Sequence, residues 1–511
     1  MHQSKLFIYN TLIIWMSRIA SVFPQLVLIP FLIGTIGETG YGIYALVWSL
    51  MLSIEQLQKS LQSGVVKYSA GFLVNGQTNE VNKLISSSFI FSLFLAVLVC
   101  TGTLVLAAFH NDPTGQIDTA LIVVAIMVLF IFPLTPYVAV IQSRQCYYVG
   151  AICETASKYI GLLIIVTWFH IIKPSVEALI IIMAAMLFFS RLVQVPIAHR
   201  LIPGIKNRPS LFDGKSFRLI TAFGAATVLA AMCIAVNSTG IRWLMGTLTS
   251  TSYVTHLVIM LMPGLLLAQI IQAMTITVMP ATSAYEATGN QLMLQELLIR
   301  GMRYTMIIVL AVLMVASLLM RNALVLWLGH GYVFLAPYTL VLFASASFML
   351  STSTAHHMLK GLGKLRTIIL IYFLGLVVVP ISLILIVLKT WHDPYVAVTS
   401  GLAAGHLVCG GLQIWFSTKT VCAEIRHVLT RAYAQPLIVA STVYGALLAF
   451  TTYVGIDVLV IRVFISVLII LLFFSGCYIF IFTSAERDHL KEMVQTAKNK
   501  IVPNKGMPKA R

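Results

Sequence analysis

Charge is what this sequence lacks most. Of its 511 residues only 10% are Asp, Glu, Lys or Arg, while 59% are apolar and the mean hydropathy is +0.95. Soluble globular chains carry about 25% charged residues, so a water-soluble fold is excluded. Acidic residues are the scarcest, 16 against 33 basic ones, and they form no cluster suited to acid–base chemistry. Gly361-Leu362-Gly363-Lys364 lacks the GxxxxGK[ST] spacing of a phosphate-cradling loop, which removes ATP as a direct drive in this chain. HExxH and GxSxG are missing too, and no enzyme is expected. The seven cysteines (Cys100, Cys146, Cys153, Cys233, Cys409, Cys422 and Cys477) are odd in number and stand singly, without a CxxC pair. They read as small apolar residues, giving neither a disulfide framework nor a metal site.

What is present is a succession of continuously apolar runs, each about 20 residues, the length a helix needs to cross a bilayer. Alternation of polar and apolar residues, the mark of a membrane barrel, does not occur. The pattern predicts an all-α polytopic membrane protein of fourteen transmembrane helices, the first two near 7–33 and 41–61 and the last two near 433–454 and 460–483. A seven-residue connection, Gly34 to Gly40, is expected between the first two. No cleavage site follows the first run, which is expected to stay as an anchor.

The formal charge of +17 is an orientation signal. All but six of the 33 Lys and Arg fall on the side of the connections after even-numbered spans or in the tails; the six are Arg18, Lys173, Arg242, Arg321, Lys389 and Arg462. The positive-inside rule then places both termini in the cytoplasm. Nucleic acid is not needed to explain the charge, and the bilayer is the expected partner. A weak repeat accompanies this pattern. Gly34-Thr35 to Tyr41 reappears as Gly246-Thr247 to Tyr253, and Gly76-Gln77 as Gly289-Asn290. These offsets predict two six-helix lobes, residues 1–217 and 218–430, followed by two extra C-terminal helices in 431–483 and a cytoplasmic tail, 484–511. In the tail, Leu490, Val494, Ala497 and Ile501 have the spacing of an amphipathic surface helix.

On the first helix Asn10, Ser17, Arg18, Ser21 and Gln25 fall within an arc of about 100°. Such a polar stripe on an otherwise apolar helix points to a lined cavity. A charge at bilayer depth costs roughly 2.5–3.5 kcal/mol on insertion scales, so Arg18 must face protein or water.

Several short stretches, in order, carry a resemblance: Tyr41-Gly42-Ile43-Tyr44-Ala45-Leu46, Lys67-Tyr68-Ser69-Ala70, Gly301-Met302-Arg303, Leu326-Trp327-Leu328-Gly329 and Leu359-Lys360-Gly361-Leu362-Gly363-Lys364. Over roughly residues 6–430 the chain resembles the polysaccharide flippases of the multidrug/oligosaccharidyl-lipid/polysaccharide (MOP) superfamily. The resemblance implies a MATE-like fold with a central cavity between two lobes, working by alternating access in a bacterial inner membrane. It implies a polyprenyl-diphosphate-linked oligosaccharide, such as an O-antigen repeat unit, moved from the inner to the outer leaflet. It also implies polysaccharide polymerase machinery as a partner and no cofactor; the coupling ion, proton or sodium, stays open. The alternatives are a small-molecule or multidrug exporter of the same superfamily and a lipid II flippase. A membrane polymerase or ligase is disfavoured because every connection on the outer side is short.

A lipid-linked diphosphate needs cations and hydrogen-bonding groups. The candidate cavity residues are Arg18, Gln25, Glu55, Lys158, Asn237, Arg242 and Gln269. Five of them have a structural alternative: Arg18 paired with Glu55, Glu55 paired with Lys59 at i, i+4, Lys158 with Glu154 at the same spacing, Arg242 snorkelling to headgroups, and Gln269 bonding between helices. No metal site is expected.

Overall fold

The computed structural model describes residues 2–109, 115–275, 277–454, 459–484 and 486–488. Asn10's side chain and the amphipathic segment expected beyond residue 489 lie outside the described residues. Among the described residues every regular element is helical. Apolar runs in lipid must satisfy their backbone groups internally, and the helix does so within one segment.

The helices are α1 (2–36), α2 (38–74), α3 (Thr78–Phe109), α4 (Gln116–Ser143), α5 (Tyr147–Ile171), α6 (Val176–Leu201) and α7 (214–248). They continue as α8 (Thr251–Thr275, extended by Val278–Ala287), α9 (Gln291–Leu328), α10 (His330–Gly361), α11 (Leu365–Trp391), α12 (Pro394–Thr420), α13 (425–454) and α14 (Leu459–Phe480). Twelve helical stretches among the described residues are long and apolar enough to cross a membrane, against the fourteen expected. The first of the twelve, Met16–Leu73, contains both α1 and α2, and the helix Gln435–Val454 is not among them. The expected connection from Gly34 to Gly40 is not a loop: the chain stays helical to either side of one break, Gly37, at φ 75° and ψ 173°. Only glycine adopts that conformation cheaply.

Helices α1 to α6 pack on one another, as do α7 to α12, while α13 and α14 lie against α9. At the basic end, where the chain begins, the hairpins share one closure. Gly76 (φ +69°) and Gly289 (φ +65°) occupy the left-handed position, with Gln77 N–H bonding to Phe72 O at 2.9 Å and Asn290 N–H to Tyr285 O at 3.0 Å. This six-to-one bond is the Schellman closure, which satisfies helix-end carbonyls without a long loop. The longer segment from 202 to 213 is held along α3: Asn82 bonds Gly204 O and Lys206 N–H, while Ser86 and Ser87 accept from Arg208 and Asp213 N–H.

Close packing inside the second group rests on small residues. A Cβ at Gly405 would stand 2.4 Å from Gly375 O, and one at Gly401 would stand 2.7 Å from Pro380 O. Gly401 and Gly405 are four apart on α12 and let its backbone press against α11, the GxxxG mode of membrane packing. Asn237, in a π-helical turn of α7, donates to Leu376 O in a π turn of α11 at 3.1 Å. It thereby takes a carbonyl whose i+4 position is Pro380, which has no N–H to give it.

Beyond α14, Glu486 folds back onto the start of α9. It pairs with the buried Arg303 and accepts from Tyr304 Oη at 2.6 Å and Thr483 N–H at 2.8 Å. Burial alone would raise the Glu486 pKa; bonds from Tyr304 and Thr483, with the Arg303 charge, outweigh it and hold the carboxyl below its usual range. A depressed folded-state pKa stabilises above the ordinary glutamate value of about 4.3 and is lost as pH falls through the folded value. Glu486→Gln is therefore expected to lower thermal stability in detergent at neutral pH by roughly 3–5 kcal/mol, since Arg303 is left buried and unpaired. The difference from wild type should vanish in acid. The double variant Arg303→Met with Glu486→Met should recover most of the loss, and calorimetry of the three proteins at neutral and acid pH checks all three statements.

Candidate functional site

Ser17, Arg18 and Ser21 of the α1 stripe face a cavity of about 770 Å³ between α1, α2, α4, α5, α6 and α8. The cavity reaches the surface at the basic end, where the exposed turn residue Gln145 forms part of its wall. Its charged groups are Arg18, Lys59, Lys158, Arg191 and Glu154; amides come from Gln142, Gln145, Gln269 and Gln272, and hydroxyls from Ser17, Ser21, Thr155 and Thr277.

Each cation is held differently. The α1 backbone beside Arg18 is fixed by α5, through Thr155 Oγ1 to Ser17 O at 3.1 Å and Tyr159 Oη to Ala20 O at 2.9 Å. The Arg18 guanidinium itself has no hydrogen-bond or ion-pair partner among the described residues. Lys158 pairs with Glu154 one turn earlier at 3.2 Å. Glu55 lies behind the wall, 9% exposed, and pairs with both Lys59 at 3.1 Å and Arg191, which is 8% exposed. The Nε–H of Arg191 is buried with no partner, as is Oε1 of Gln194 one turn along α6. Counting Glu55, the acidic groups cancel two of the four cations, and the site keeps two net positive charges.

Of the residues expected from sequence, Arg18, Lys158 and Gln269 line the cavity and Glu55 touches it through its partners. The structural alternative for Glu55, Lys59, is present, whereas the Arg18–Glu55 pair is not: Arg191 takes that carboxylate instead. Gln25 is exposed on α1, Asn237 serves the α7–α11 contact, and Arg242 sits at the opposite end of α7 beside Tyr41. None of the three reaches the cavity in this conformation. Sequence reasoning misses Arg191 because the charge count assigns it to the basic side. Its signal is its place inside an apolar run, since α6 is otherwise uncharged between Glu177 and Arg200.

The opposite end is sealed. Leu28 and Leu32 of α1, Tyr41, Val47 and Met51 of α2, and Val254, Val258 and Met262 of α8 belong to one buried cluster. Polar bonds bridge the two helix groups there: Tyr332 Oη to Glu38 Oε1 at 2.7 Å, His256 Nε2 to Glu38 Oε2 at 3.3 Å, and Trp327 Nε1 to Leu26 O at 2.7 Å. Thr39 and Ser252 share a 2.9 Å hydroxyl bond. A Cβ at Gly42 would fall 1.9 Å from Thr251 O, so only glycine permits this approach. In a chain whose own cysteines are replaced, Thr39→Cys with Ser252→Cys should cross-link readily on oxidation. Adding Gly42→Val should abolish the cross-link, as read by gel mobility, because the valine holds the seal open.

The architecture is that of a polytopic helical membrane protein with a polar cavity among its helices. Neither a protein-family model nor a curated protein sequence matches the chain. Solved structures do match in fold. The lipid II flippase MurJ, in an inward closed conformation, superposes with a TM-score of 0.68 at 15% identity, covering 92% of this chain and 99% of that one. An inward-facing multidrug resistance MATE family transporter gives 0.65 at 13% identity, covering 80% and 98%. The Vibrio cholerae MATE transporter VcmN, in its bent form, gives 0.59 at 12%, covering 83% and 98%.

Proposed function

We propose that this protein is a flippase that moves a polyprenyl-diphosphate-linked oligosaccharide, the repeat unit of a polysaccharide, from the inner to the outer leaflet of a bacterial inner membrane. The observation that carries the reading is the cavity's charge. Its two net positive charges match the two negative charges of a diphosphate diester, and Arg18, with no partner among the described residues, offers a guanidinium fork suited to phosphate oxygens. Glutamine amides and hydroxyls elsewhere on the wall both donate and accept, as sugar hydroxyls require. With the basic end and both termini in the cytoplasm, the cavity faces the leaflet where such a lipid is made, and the sealed end faces outward. Alternating access then means opening the Glu38–His256 end as α1 and α8 close on the cavity. A polymerase receiving the delivered unit is the natural next partner.

The multidrug transporters among the structural neighbours offer a competing substrate class, but they cover a smaller share of the chain than the lipid II flippase does. Mass spectrometry of lipid extracts from cells lacking the gene discriminates. A polyprenyl-diphosphate oligosaccharide should accumulate and be cleared by wild type. Arg18→Ala should clear it at least about tenfold more slowly, since one charge-assisted hydrogen bond is worth roughly 1.5–3 kcal/mol. Accumulation of lipid II instead would identify a lipid II flippase, and no accumulated lipid would move the reading to an exporter. Equal clearance by Arg18→Ala would discard Arg18 as the anchor and keep the function.

A further inference from the structure

We propose that Glu55, behind the cavity wall, stands in for a substrate phosphate on Arg191, and that Arg191 is handed from Glu55 to that phosphate when a lipid diphosphate enters the cavity. The inference rests on the flippase reading and specifies how the second phosphate is held. Arg18 alone can fork one phosphate. The other cations are engaged: Lys158 by Glu154, and Lys59 and Arg191 by Glu55.

Among these, only the Arg191 arrangement is buried on both sides and left incomplete. Arg191 and Glu55 are 8% and 9% exposed, yet the Arg191 Nε–H, buried at the wall of the cavity, has no acceptor. A buried donor without a partner costs free energy unless a bound group satisfies it. A carboxylate and each phosphate of a diphosphate diester both carry one negative charge on two equivalent oxygens, and both fit the guanidinium fork. Exchanging one for the other therefore leaves the charge around Arg191 unchanged. Glu55 is not stranded by the exchange, because Lys59, whose side chain is 51% exposed and flexible, already touches the same carboxylate oxygen at 3.1 Å and can retain it. As the guanidinium turns from Glu55 toward an incoming phosphate in the cavity, the buried Nε–H and the nitrogen now bonded to Glu55 gain that phosphate as a shared acceptor. The same carboxylate keeps Arg191 neutralised whenever the carrier is empty.

The full-length protein in detergent tests this with two probes, farnesyl diphosphate and farnesyl monophosphate, whose affinities are measured by calorimetry. Wild type should prefer the diphosphate. Glu55→Gln removes the competing carboxylate, so it should bind the diphosphate about tenfold more tightly with a much smaller gain for the monophosphate. Arg191→Lys keeps the charge but loses the fork, and should lose most of the preference for two phosphates over one; it decides the matter should Glu55→Gln fail to fold. Diphosphate binding by Glu55→Gln no tighter than wild type, equal gains for both probes, or an unchanged preference in Arg191→Lys would each overturn the handover and leave the flippase reading standing. A wild-type protein that binds farnesyl diphosphate no better than farnesol would overturn the flippase reading and the handover together.

Discussion

The structure depends on one constraint: a guanidinium group inside a bilayer-spanning bundle must be paired or wetted. Arg191 meets it by a buried pair with Glu55, and Arg18 by facing the cavity. The first solution draws α2 and α6 together, and the second leaves α1 facing open space beside them. The cavity is therefore where the unburied cations gather, and the proposed anion binding follows from that placement.

The opposite end follows the complementary rule. There the two helix groups are joined by apolar side chains and by bonds between neutral or mutually satisfied groups, with Gly42 letting the α2 backbone approach Thr251 O. The apolar part of this seam is buried under a polar rim and has few ways to be half open, which suits a two-position gate. Glu38 is the exception, a carboxylate at the seam that accepts from Tyr332 and faces His256. It ties the Gly37 kink of the first group to two separate helices of the second.

Much of the fold is legible because its signals are local. Apolar runs the length of a bilayer give helices, and Gly76 and Gly289 mark matching turns that the structure closes with matching hydrogen bonds. Part of the site is legible for the same reason: Ser17, Arg18 and Ser21 share one face of α1, and Glu154 and Lys158 stand one turn apart. Gly37 reads as part of a loop because seven residues rich in glycine and threonine look like a connection, whereas a single left-handed residue suffices to turn the helix.

The sequence by itself determined that this is a helical membrane protein with its positive charge at one end, since hydropathy and charge placement act through each segment's own transfer energy. Tertiary structure alone decided which charges meet across helices. Glu55 and Arg191 are 136 positions apart, and Thr39 and Ser252 are 213 apart. No periodicity spans such distances. Whether Glu55 takes Arg18, Lys59 or Arg191 is settled by how α1, α2 and α6 pack, because a carboxylate in a low-dielectric wall pairs with the cations the packing brings within reach.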